Sequence, residues 1–146
     1  MRLGGPVFDT YENPEQWSAA VHSLGYRAAY CPVDTGASRE VIRAYEAATA
    51  KADIIVAEVG AWSNPLSSDP ETCREALTLC QESLVLADAI GARCCVNISG
   101  SRGDRSDGPH PANLMPETFE LIVDTVRAII DVVKPTRTFY ALETML

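Results

Sequence analysis

Positive charge is scarce in this chain: 12 lysines and arginines stand against 20 aspartates and glutamates, a formal net charge of −8 over 146 residues. A phosphate-backbone binder needs a basic stripe, and none is present, so nucleic acid and anionic membrane are poor partners. Long apolar runs are missing too. Nothing approaches the roughly 20 consecutive apolar residues of a membrane span. Met1-Arg2-Leu3-Gly4-Gly5-Pro6 breaks before the apolar core of a secretory leader. The five cysteines, Cys31, Cys73, Cys80, Cys94 and Cys95, include no CxxC pair and none at zinc spacing from a histidine. An odd number of unpaired thiols fits a reducing cytoplasm. Finally, no GxGxxG or Walker-type loop follows the first apolar segment, as an open-sheet dinucleotide or nucleotide site usually requires.

What the chain does have is alternation. Apolar segments at Arg2 to Phe8, Arg27 to Val33, Ile54 to Val59 and Arg93 to Ile98 read as strands, and each is followed by a stretch of helical period. Asn13-Pro14-Glu15, Ser38 and Asp69-Pro70-Glu71 are helix-start signals. The fourth helical stretch is the clearest, with Phe119, Ile122, Val123, Val126, Ile129, Ile130 and Val133 on one stripe before Pro135. Ser99 to Asn113 reads as a polar, glycine-rich loop. A fifth strand, Thr138 to Glu143, closes the pattern with no helix after it.

Strict β-α alternation implies a parallel sheet with right-handed crossovers. Two architectures fit: an autonomous flavodoxin-like domain, or a single (β/α) domain over 1–146 forming the N-terminal half of a (β/α)₈ barrel, C-terminally incomplete. A complete barrel needs about 250 residues. Long connections after the third and fourth strands, opposite tight turns at Gly25 and Gly91, favour the barrel. Barrel enzymes place their chemistry at the C-terminal ends of strands. Glu58, Asn97 and Glu143 end three consecutive strands, and period-two alternation sets Glu58 on one face with Ile54 and Val56. Oxygen ligands on such a rim suit Mg²⁺ or Mn²⁺.

Three stretches carry a more specific signal: Ala57-Glu58-Val59-Gly60-Ala61-Trp62-Ser63-Asn64-Pro65, then Gly91 through Gly103, then Pro135 through Met145. Together they resemble the sugar phosphate isomerase/epimerase family, the xylose-isomerase-like TIM-barrel superfamily, over its N-terminal half only. The resemblance implies a divalent metal (Mn, Mg or Co), a sugar or sugar phosphate substrate, and proton transfer α to a sugar carbonyl. It makes Glu143 the first metal ligand, with the other three beyond this chain, so the isolated chain is expected to be inactive. Glu58 and Asn97 become candidate substrate-pocket residues, with capping of backbone N–H groups as the plainer reading. Trp62, beside Asn64 on the loop after the third strand, either stacks on a sugar face or packs over a helix. Arg102, within Ser99-Gly100-Ser101-Arg102-Gly103, is a candidate phosphate contact.

Zinc-dependent abasic-site endonucleases belong to the same superfamily and present several histidines on this rim. His22 and His110, the two histidines here, end no strand, which makes DNA repair a poor reading. A non-catalytic half-barrel that dimerises stays open, because open sheet edges invite self-association.

Overall fold

The computed structural model describes residues 1–103 and 105–143. The helix starts follow the sequence signals literally. Asn13 accepts the Gln16 N–H at 2.9 Å, Ser38 the Val41 N–H at 3.3 Å, and Asp69 the Thr72 N–H at 2.8 Å. Each satisfies one of the backbone donors that a helix's first turn leaves free. They open α1 (Pro14–Ser23), α2 (Arg39–Lys51) and α3 (Pro70–Ile90). Gly91 ends α3 at φ 74°, a left-handed position glycine takes without steric cost. Before α4 (Pro116–Val133), a 3₁₀ turn at Pro111–Leu114 stands where only loop was expected, with the His110 ring accepting the Ala112 N–H at 3.2 Å.

The strands are β1 (Gly4–Gly5), β2 (Ala28–Ala29), β3 (Ile55–Val56), β4 (Glu58–Gly60), β5 (Cys94–Ile98) and β6 (Phe139–Glu143), every pairing parallel. The first two are shorter than expected. Pro6 and Pro32 carry no N–H for a ladder and stand just beyond them. The expected third strand, Ile54 to Val59, is split at Ala57 into β3 and β4. Bonds from Ala57 N–H to the Ala29 carbonyl (2.7 Å), Cys31 N–H to the Glu58 carbonyl (3.0 Å) and Arg93 N–H to the Val56 carbonyl (3.0 Å) carry the sheet across the split. Neighbour order follows chain order, β1-β2-β3 and β4-β5-β6. That is a barrel segment; a flavodoxin-like sheet runs 2-1-3-4-5.

The core lies between this sheet and the helices. Trp17 and Val21 of α1, Tyr45 of α2, Cys80, Leu84 and Ala87 of α3, and Ile129 of α4 meet Val56, Val59 and Cys95. Trp17 and Tyr45 pack edge-on, ring centroids 5.9 Å apart, a geometry their quadrupoles favour. The stripe on α4 is only partly buried: Ile129 is fully enclosed, whereas Phe119 is 64% exposed. α4 packs along α3, and the exposed part of its apolar stripe has no neighbour among the described residues.

Asp88, near the end of α3, ties α4's exit to the start of β6. Its carboxylate accepts the Thr136 N–H at 2.7 Å and the Arg137 N–H at 2.6 Å. Burial pushes the Asp88 carboxyl up, but those N–H groups outweigh it and hold it below the usual aspartate range. A folded pKa below the unfolded value of about 3.9 contributes stability above that value, lost as pH falls through the folded pKa. Acid unfolding followed by circular dichroism should therefore show Asp88→Asn less stable than the parent at pH 6, with the difference shrinking below about pH 3.

Candidate functional site at the strand mouth

Register fixes which side chains share a face. Glu58 pairs with Cys94 and Cys94 with Phe139, while Val96 pairs with Ala141 and Ile98 with Glu143. In β5 the alternate residues, Cys95 and Asn97, are fully buried, Cys95 in the helix-side core and Asn97 bonded to Cys80 of α3. Cys94, Val96 and Ile98 therefore turn to the concave side, and Phe139, Ala141 and Glu143 with them. In the split strand Ile54, Val56 and Val59 all enter the core, so alternation slips by one residue at Ala57, as at a bulge. The slip corrects the expected grouping. Glu58 does not share a face with Ile54 and Val56 but opens to the concave side.

There Glu58 and Glu143 line one cleft of about 440 Å³ with Tyr30, Asp34, Gly60 and Trp62. Burial, and then the charge of Glu143, raise the Glu58 carboxyl above its ordinary value. Trp62 is 53% exposed, and its indole folds back so closely over Gly60 that a Cβ there would overlap it. Close approach is what glycine permits at this strand end.

The other expected site residues lie elsewhere. Asn97 is fully enclosed on the helix side, its Oδ1 accepting the Ser63 N–H at 3.0 Å and its Nδ2 donating to the Cys80 Sγ at 3.2 Å. The expectation of three polar groups on one rim is therefore corrected to two. Asn64 is buried as well: its amide donates to the Ser101 carbonyl and accepts the Ser101 N–H, both at 2.9 Å, locking the two rim loops together. Arg102 reaches the Leu66 carbonyl at 3.4 Å. The loop around it does not form the expected phosphate cradle, because its N–H groups are already used. Ser101 N–H goes to Asn64, Arg102 N–H to Asn113, and Gly103 N–H to the Ser101 hydroxyl.

Tyr30, half exposed at the end of β2, and Asp34 were missed as cleft residues. Tyr30 had no legible signal, since the segment Arg27 to Val33 reads it as mid-strand, whereas β2 ends at Ala29, just before it. Asp34 lies in a turn where its side chain also accepts the Gly36 N–H at 3.0 Å, the ordinary use of aspartate in turns.

No protein-family model matches the sequence, and no curated protein matches it. Solved structures do. D-Psicose 3-epimerase from Clostridium cellulolyticum H10, solved with D-tagatose, superposes on 97% of this chain with a TM-score of 0.70 at 15% identity, over 52% of its own length. The 3-keto-D-glucoside 4-epimerase of E. coli matches 97% of this chain with a TM-score of 0.68 at 15% identity, over 55% of its length. A D-psicose 3-epimerase solved in the presence of D-fructose matches at 0.67 and 12% identity, over 52% of its length. The chain thus spans about half the length of the structures it matches, and its fold is that of half a (β/α)₈ barrel.

Proposed function

We propose that this chain supplies one half of a sugar isomerase or epimerase site, with Glu143 as a ligand to a divalent metal ion and a sugar or sugar phosphate as substrate. The observation that carries the reading is the pairing of Glu58 and Glu143 in one cleft at the C-terminal ends of parallel strands, where barrel enzymes act. Likeness of fold to sugar epimerases supports the substrate class.

Burial and the neighbouring Glu143 raise the cost of ionising Glu58, and a hard cation would neutralise both carboxylates with oxygen ligands. Among the described residues no cluster of three or more histidine, cysteine, aspartate or glutamate side chains is present. This chain's share of the metal site is therefore a partial one, Glu143 with Glu58 beside it. When bound, such an ion polarises a sugar carbonyl or hydroxyl. Glu58, its carboxyl shifted toward neutral pH, is the group of this chain suited to exchange the proton α to that carbonyl. Trp62 and Tyr30 flank the carboxylates and offer ring faces to the apolar side of a sugar.

The test is Mn²⁺ binding followed by electron paramagnetic resonance. The parent chain should bind weakly, with a dissociation constant on the order of 10⁻³ M, as expected for so few ligands. Glu143→Gln should abolish that binding, and the chain alone should turn over no ketose or ketose phosphate with Mn²⁺, Mg²⁺ or Co²⁺. Turnover that appears only on adding the C-terminal half of a complete relative would support a shared site. Mn²⁺ binding unchanged in Glu143→Gln, or turnover by the chain alone, would sink this account.

A further inference from the structure

The two ends of the sheet are unfinished in complementary ways. Among the described residues β6 is hydrogen-bonded only to β5, and β1 only to β2. Each therefore leaves one row of backbone donors and acceptors without a strand beside it, and such edges recruit further strands. Both ends also carry uncovered apolar side chains. Beside β6, Phe139 is 76% exposed, and on α4 Phe119 and Val132 are 64% and 66% exposed. Beside β1, Leu3 and Phe8 are 68% and 88% exposed.

We propose that a second copy of this chain covers these ends, about a two-fold axis, with β6 of each copy parallel to β1 of the other. One rotation then satisfies both edges of both copies, closing the sheet with no edge left over. A one-ended contact would leave an edge free and grow into open assemblies. The area suffices. A buried phenylalanine removes on the order of 150–250 Å², so three phenylalanines at these exposures bring roughly 700–1,100 Å² to the two-copy interface. Leu3, Val132 and the strand backbones carry it into the range of about 1,200–2,000 Å² that a stable interface buries. The opposing term is charge, −8 on each copy. Apolar contacts between like-charged partners strengthen when salt screens the repulsion, the reverse of an association driven by opposite charges. The inference is independent of the chain's chemistry and stands whether or not it acts on sugars.

Sedimentation velocity of the full chain up to about 100 µM should show a dimer, with a dissociation constant falling several-fold between low and high sodium chloride. Phe139→Asp should raise that constant at least tenfold while the far-ultraviolet spectrum is unchanged. Phe119→Asp, on α4, should do the same and serves if the strand substitution perturbs folding. Val85→Asp, at an exposed position on α3, should leave the dimer intact. A monomer throughout, assemblies that grow without limit, a dimer indifferent to both edge substitutions, or one that weakens in salt would each overturn the proposal.

Discussion

Leu84→Ala should remove about 3–4 kcal/mol of stability, the largest effect expected of any single truncation on α3. Leu84 is fully enclosed at the centre of the cluster that joins α3 to the sheet. Deleting its branched end loses transfer free energy, and it also leaves a cavity that a close-packed core collapses only in part. Domains of this size are stable by about 5–15 kcal/mol in total, so the variant should melt about 10 °C below the parent. The neighbouring Val85, about 100° further round the helix and 53% exposed, is the internal reference: Val85→Ala should cost less than about 0.5 kcal/mol. Urea unfolding of the two variants side by side is the measurement. Equal losses would mean that α3 does not pack against the sheet in this orientation.

Asn97→Ala should cost about 2–4 kcal/mol, through a different mechanism. Nothing apolar is at stake; instead the Ser63 N–H loses its acceptor and the Cys80 thiol its donor inside a sealed space, and unsatisfied buried groups are expensive. Asn97→Asp should be worse at pH 7 than at pH 4, since it places an ionisable carboxyl where no cation faces it, and only the protonated form is tolerated. Thermal melts at the two pH values measure this. Because Asn97 anchors the start of the loop that carries Trp62, limited proteolysis of Asn97→Ala should find new cuts there before the core opens. A neutral Asn97→Ala, or an aspartate variant indifferent to pH, would place this side chain on the concave side after all.

Helix boundaries were legible because caps are local: Asn13, Ser38 and Asp69 each act on a backbone N–H a few residues away. The half-barrel order of the strands was legible from alternation and from the tight turns at Gly25 and Gly91. Strand interiors were not. Nothing in Ile54 to Val59 marks Ala57 as the place where alternation slips, because β3, β4 and their neighbours decide it jointly through long-range hydrogen bonds. Asn97 misled for the same reason. A polar residue at a strand end reads as rim, and only the presence of Ser63 and Cys80 on the helix side, 34 and 17 residues away in sequence, draws it inward. Asn64 and Arg102 looked like binding residues because short polar loops and ligand loops use the same side chains.

The slip at Ala57 also makes the candidate site a matter of counting. Were the strand to keep strict parity with Ala57 in place, Glu58 would swing into the oily layer beneath the sheet and Val59 would take its place at the mouth; with Ala57 removed, parity returns and Glu58 still faces the cleft. A single in-frame codon lost at Ala57 would thus leave the carboxylate at the cleft and the core uncharged, and would take from the strand only its irregularity. At its present length the strand owes the carboxylate at its mouth to that irregularity, not to alternation.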